Sequence, residues 1–385
     1  MSESMALSRP DGRATGSTAF TQDGHLLAIE TPLGKDQLLP TALDGEEALS
    51  ELFSYRVEML SSDHAITSER LIGRSVRLLL RDQHSNARPI HGLVARFHAG
   101  PLLPSGFRCY TAEIVPWLWL LTQTSDCRIF QNLKIPQIID QVFKTFGFDD
   151  YEILAPLASY TPLEFCVQYR ETAFNFVARL MEQAGLFYFF RHETNRHVLV
   201  IADSNATFRD LPEPNLVHVS SNNADGLVTS WQHSYGFRPG AWAQTDFDFE
   251  VPTKNLLTTQ KTVLQVTNAQ AFERFDYPGQ YTSKDAGTRA TRILMEAEEA
   301  AYHVAKGESR YITLSVGGKF RLKGHPCQDQ AKPYVVSRIR HVAYDPTYFG
   351  NTDELPTYNN VFKAIAHDVR FRPLRRTEKP FVHGF

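Results

Sequence analysis

Five consecutive residues, Asp246 to Glu250 (DFDFE), place three carboxylates at i, i+2 and i+4. On an extended strand those positions share one face, with neighbours roughly 6–7 Å apart. That spacing falls in the range used by paired catalytic carboxylates, one acting as acid and the other as base or nucleophile on a glycosidic bond. Asp246, Asp248 and Glu250 are therefore the candidates for a cell-wall hydrolase. The interleaved Phe247 and Phe249 argue against it. They supply the apolar face a strand buries, which leaves the acids in water, so the expectation is a wet strand face without catalysis.

The other candidate motifs fail on spacing. HETNRH, His192 to His197, resembles the zinc-protease pattern HExxH, but the second histidine is one residue late and the segment reads as a hairpin turn. Two ligands on one helical face are thus unavailable, and a solvated turn is expected. Gly317-Gly318-Lys319 is not a phosphate loop: Thr313 stands where the first glycine belongs, and Phe320 replaces the magnesium-binding Ser or Thr. His325 beside Pro326 and Cys327 is one histidine and one cysteine without further partners, and reads as a turn. The four cysteines, Cys109, Cys127, Cys166 and Cys327, have neither zinc-knuckle nor redox spacing and read as reduced thiols. Trp117, Trp119, Trp231 and Trp242 offer aromatic faces for a glycan-binding module. Leu118, Leu120 and Leu121, interleaved with the first two, favour core packing instead. Arg370, Arg372, Arg375, Arg376 and Lys379 form the one basic cluster, without the stacking aromatics that nucleic-acid binding needs. A linker or subunit contact is the better reading. No catalytic, cofactor-binding or metal residue is expected.

These residues must sit on ordinary soluble architecture. With 385 residues the chain suits two or three domains, and 42% hydrophobic, 22% charged and 12% aromatic residues suit globular, sheet-rich folds. A formal charge of −3 supplies no general attraction for nucleic acid or acidic membranes. Residues 1–18 are rich in Ser, Gly and Arg and read as a flexible tail, not a Sec signal. The longest apolar run, Ile114 to Leu121, is too short to span a bilayer.

The clearest stretch is Pro162 to Ile201. It opens with alternation, Leu163, Phe165, Val167 and Tyr169 forming the apolar face expected to be buried. A helix follows, with Ala173, Phe174, Val177, Leu180, Met181 and Ala184 as its stripe, Thr172 as cap and Gly185 as terminator. Leu186 to Phe190 and Val198 to Ile201 then read as a hairpin. Around this unit, residues 25–115 read as short strands between turns, a small antiparallel barrel or sandwich. A helix is expected from Pro136 to Phe146. Beyond residue 226, strands are expected at 228–235, 241–249, 311–316, 319–322, 334–341 and 361–371, with one long helix from Ser283 to Lys306 and Gly307 behind it.

Cys166 to Phe190, CVQYRETAFNFVARLMEQAGLFYFF, closely resembles the most recognisable segment of VgrG proteins, the spike proteins of type VI secretion, which are similar to the baseplate hub of contractile phage tails. CRIFQ at Cys127, FERFDYPGQY at Phe272, GKFRLKGHP at Gly318, YVVSRIRH at Tyr334 and FRP at Phe371 resemble family landmarks in order. The resemblance implies an α+β, mainly β, phage-tail-hub-like fold: two small antiparallel β-barrel domains, 19–125 and 223–375, flank an α+β domain, 126–222. The second barrel carries the long helix, 283–307. Residues 376–385 would begin the linker to an OB-like barrel and a β-helical needle. It further implies a non-enzymatic homotrimer that docks on the hexameric Hcp tube, meets baseplate components and carries effector or adaptor proteins. Such a protein is cytoplasmic until sheath contraction exports it, without a signal peptide, and meets the target membrane only through its needle. It has no nucleic-acid partner. The rival readings are a phage or tailocin hub and, in a different class, the hydrolase or glycan-binding module above.

Overall fold

The computed structural model describes residues 20–82, 86–219, 227–327, 332–349 and 353–380. The expected tail, 1–18, and the last residues of the expected linker lie outside them. Six strands come first: β1 (Leu27–Glu30), β2 (Leu39–Ala48), β3 (Ser54–Ser61), β4 (Ser75–Arg81), β5 (Ala87–Leu102) and β6 (Arg108–Val115). The middle of the chain supplies β7 (Ser125–Leu133), α1 (Ile135–Thr145), β8 (Tyr151–Ile153), β9 (Leu163–Thr172), α2 (Ala173–Ala184), β10 (Phe187–His192) and β11 (His197–Ala202). There follow β12 (Arg209–Val217), β13 (Val228–Tyr235), β14 (Ala241–Gln244), β15 (Thr258–Lys261), β16 (Glu273–Asp276) and α3 (Lys284–Ala300). The last four strands are β17 (His303–Ser309), β18 (Gly318–Lys323), β19 (Pro333–Tyr344) and β20 (Thr357–Ala366).

The fold is mainly β, as expected. Period-two patterning holds in the first region, where Val57, Met59, Val76, Leu78 and Leu80 are all buried. Its strands run β1-β4-β5-β6-β3-β2, and the sheet does not stop there. β2 pairs antiparallel with β19, Ala42–Ala48 against Arg338–Tyr344, and the order continues through β20, β17 and β13. With β12 and β18 attached to β19, twelve strands from both ends of the chain make one hydrogen-bonded sheet.

The hairpin β10–β11 explains the unbroken apolar runs at Phe187–Phe190 and Val198–Ile201, because both of its faces are buried. Tyr188, Phe190, Leu199 and Ile201 enter the core shared with the first region, α1 and α2. Phe187, Phe189, Val198 and Val200 enter the core of the second, with Trp231, Phe320 and Phe362. Helix α2 is held as its sequence foretells. The Thr172 hydroxyl accepts from the Asn175 amide at 3.0 Å, and Gly185 closes the helix at φ 69°. Leu180 and Met181 are buried as expected. Phe176 belongs to the buried stripe, whereas Phe174 is only half-buried.

Several expectations are corrected. The apolar face of β9 points outward: Phe165 and Val167 are 59% and 44% exposed, opposite Ile129 of β7 at 68%, while Cys166 and Gln168 are buried. A kink at Arg170, φ 50°, turns Gln168 and Glu171 both inward, where Glu171 pairs with Arg179 of α2 and fixes the phase. The long helix stops at Ala300 rather than Lys306, and the next residues form β17 between β13 and β20. Gly307 is therefore no helix terminator. A Cβ there would lie 2.5 Å from the Phe362 ring, so the strand requires a glycine. Residues 311–316 form buried turns, not a strand, and the last strand is Thr357–Ala366, earlier than 361–371. Residues 245–251 leave β14 as an irregular loop. Among the described residues no helix is long and apolar enough to cross a membrane.

Candidate functional site

The most concentrated buried chemistry lies where β2, β3, β5, β19 and β20 meet. Glu47, Arg88 and His341 are 4%, 6% and 0% exposed. Arg88 forms an ion pair with Glu47 and also donates to His341 Nε2 at 2.7 Å. Tyr55 donates to Glu47 at 2.5 Å, and His341 Nδ1 lies 2.6 Å from the Tyr358 hydroxyl. His341 Nε2 also lies 3.1 Å from Glu47, so the ring is wedged between the guanidinium, the carboxylate and the Tyr358 hydroxyl. Asn360 extends the chain, donating to the Tyr358 hydroxyl at 3.1 Å and accepting from Ser309 at 2.8 Å. Burial alone would raise the Glu47 carboxyl, but Arg88 and His341 outweigh it and hold it well below the usual carboxylate range. Burial, aided by Arg88, pushes His341 down to about 4. An ion pair so enclosed joins strands from opposite ends of the chain.

A second group lies beside it. The turn of HETNRH is solvent-facing as expected, but its two histidines are not. His197 is 3% exposed and its Nε2 accepts from the Trp117 amide at 2.9 Å. His192 Nδ1 accepts from the His91 amide at 3.1 Å, and His91 Nδ1 lies 3.2 Å from His197 Nδ1. Burial pushes His192 down to about 4 and His197 to about 2, so both rings are neutral. No cluster of three or more His, Cys, Asp or Glu among the described residues is placed to hold a metal.

The acidic run reverses its expected orientation. Asp246 accepts from the Gln280 amide at 2.5 Å and the Tyr281 amide at 3.3 Å. Asp248 is 8% exposed, caps the amides of Glu250 and Val251, and pairs with Lys254 at 3.1 Å. The Lys254 hydrogen bond holds its carboxyl below the ordinary value. Phe247 and Phe249 stand out at 60% and 80% exposure. Side-chain acceptance of backbone N–H groups is the chemistry of a turn. Asp246 and Asp248 are committed to it, and Glu250 is exposed.

The basic cluster is a strap. Arg372 donates to Gly185 O, Asp203 O and Glu296; Arg376 reaches Glu51; Arg375 meets Asp276 at 3.7 Å; Lys379 reaches Gln280. Trp117 packs edge-on against Phe143, and Trp231 against Tyr334, both buried; Trp119 and Trp242 are half-buried. Gly317 and Gly318 close the turn before β18, His325 Nδ1 accepts from the Cys327 amide, and the four cysteines are unpaired.

The junction escaped the sequence reading, although one signal exists. Arg88 shares the inward phase of Ile90, and His341 that of Ile339 and Ala343. A charged residue on a buried phase announces a partner without naming it.

Comparison with known proteins places this geometry. Residues 46–347 match the family described as phage tail baseplate hub (GPD). The chain is 36% identical over 374 residues to the type VI secretion system spike protein VgrG1c of Pseudomonas aeruginosa, covering 95% of this chain and 51% of that one. It is 28% identical to the actin cross-linking toxin VgrG1 of Vibrio cholerae, covering 91% of this chain and 33% of that one. The chain thus spans about half the length of the curated spike protein it matches, and a third of the toxin. Among solved structures, the E. coli c3393 protein superposes with a TM-score of 0.68 at 19% identity, over 94% of this chain and 82% of that one. It is described as a type VI secretion component with structural similarity to T4 bacteriophage tail proteins gp27 and gp5. That likeness establishes the fold.

Proposed function

The chain belongs to the phage tail baseplate hub family, and on that footing we propose that it is the hub portion of a type VI secretion spike, working by assembly rather than catalysis. The observation that carries this is the 36% identity to a spike protein across 95% of the chain. The commitment of the acids supports it: Glu47, Glu171 and Asp248 are paired to Arg88, Arg179 and Lys254 in structural roles.

Three copies form a closed ring, as homo-oligomers prefer. Each contributes two sheet-rich units, 19–125 and 223–375, around the α+β unit 126–222. Six such units in a ring can match a hexameric Hcp tube subunit by subunit. Residues from 376 onward lead to an OB-like barrel and needle, which alone touches the target membrane. The assembly meets baseplate components, carries effectors or adaptors, and leaves the cytoplasm by sheath contraction. It needs neither cofactor nor nucleic acid. Co-sedimentation with purified Hcp tubes tests this: the protein pellets with tubes and stays in solution without them, and failure to pellet contradicts docking. The family match equally accommodates a phage or tailocin hub, which a lysozyme-like domain downstream in the reading frame would favour.

A further inference from the structure

A cavity of about 340 Å³ opens between β5, the β10–β11 hairpin, β12 and the turn before β18. Phe189, Phe190, Leu211 and Val316 form its apolar walls, Arg88, His192 and Arg209 add donors, and the one carboxylate, Asp210, is paired with Lys319 at 3.2 Å. His192 carries an unmet demand. Its Nδ1 accepts from the His91 amide, so the proton of the neutral ring is on Nε2. That Nε2 is buried and has no partner among the described residues. A buried donor left unpaired is costly.

Elsewhere on the chain a segment has the opposite character. Strands β14 and β16 are parallel, so the loops that follow them, 245–251 and 277–280, leave from the same end. Asp246 ties the two loops together through the amides of Gln280 and Tyr281, and Asp248 folds its own loop back on Lys254. With both acids turned inward, Phe249 is presented at 80% exposure and its neighbour Glu250 is an exposed carboxylate. A rigid aromatic anchor beside an acceptor loses little conformational freedom on docking.

Tip and cavity are complementary: ring to apolar wall, carboxylate to Arg209. We propose that Phe249 of one copy enters the cavity beside His192 of the next, with Glu250 accepting from the donors there, so that copies join head to tail. Such a heterologous contact generates a closed ring when its rotation closes. The inference rests on the homo-oligomeric hub reading and assigns its contact surfaces.

Thiol cross-linking between copies tests it. Protein carrying Glu250→Cys is mixed with protein carrying Ala87→Cys, an exposed position on the cavity wall. After oxidation, mass spectrometry identifies the peptide pair, which separates it from links through the natural exposed thiols Cys127 and Cys327. A Lys261→Cys partner, exposed on β15 away from the cavity, sets the background. The expected result is a tip-to-cavity link well above background, falling about tenfold or more when Phe249→Ser is added to the tip protein, as loss of a buried anchor does. A link no stronger than background at any concentration overturns the contact. So does a link indifferent to Phe249→Ser. Light scattering on the same mixtures separates the two levels: oligomers without the link leave the hub reading intact, whereas monomers throughout count against both.

Discussion

Arg88 donates to His341 across 2.7 Å, although 253 residues separate them in the chain. The two strands that carry them belong to opposite ends of the sequence, and the contact seals the place where the first and last strand sets become one sheet. Glu47 completes the group. Removing one partner leaves the other charge buried without its counter-ion.

Arg88→Ala should therefore destabilise the protein by about 3–5 kcal/mol, the cost of breaking a buried pair from one side. Replacing Glu47 and Arg88 together by apolar residues should cost less than Arg88→Ala alone. Denaturant unfolding measures both. A loss for Arg88→Ala within about 0.5 kcal/mol, as at an ordinary surface position, would remove the junction from the account.

Acid should destabilise the fold early. His192, His197 and His341 have folded values below the ordinary 6.5, so the unfolded chain binds protons first. Stability then falls as pH drops below about 6.5, with a limiting slope near 1.4 kcal/mol per pH unit for each histidine. For His192 and His341 the loss ends near pH 4. The Glu47 contribution has the depressed-acid sign: it is complete above the unfolded value, about 4.3, and is lost below it. Unfolding free energy measured between pH 7.5 and 4.5 should decline steadily. A flat profile would mean these rings are solvated.

Leu180, 1% exposed in the core between α2 and the first region, should cost about 2–5 kcal/mol on change to Ala. An unchanged melting temperature would move it to the surface.

Asp246→Asn with Asp248→Asn weakens the carboxylate acceptors that fold the 245–251 loop. Limited proteolysis next to Phe247 and Phe249 should accelerate, and cell-wall lysis should stay at background in both proteins. Lysis by the parent that the double variant loses would restore the catalytic reading of these acids.

Much of the fold was legible locally. Thr172, Gly185 and the β13 strand follow from caps and alternation, and the runs Phe187–Phe190 and Val198–Ile201 announce a hairpin buried on both sides. What failed depended on distant partners. Phe165 and Val167 look like a buried face until Glu171 and Arg179 set the phase of β9. Residues 303–306 continue a plausible helix until β13 and β20 claim them as part of a strand. DFDFE alternates like a strand, yet the amides of Gln280 and Tyr281 recruit Asp246 and leave Phe247 and Phe249 outside. The Glu47–Arg88–His341 group needed the β2–β19 pairing, which no local pattern encodes.

The account stands or falls on assembly. Light scattering across a concentration series, on the protein as its whole reading frame encodes it, measures that directly. The hub reading predicts the mass of a trimer that persists on dilution. A protein that remains monomeric, or settles as a stable dimer, contradicts it.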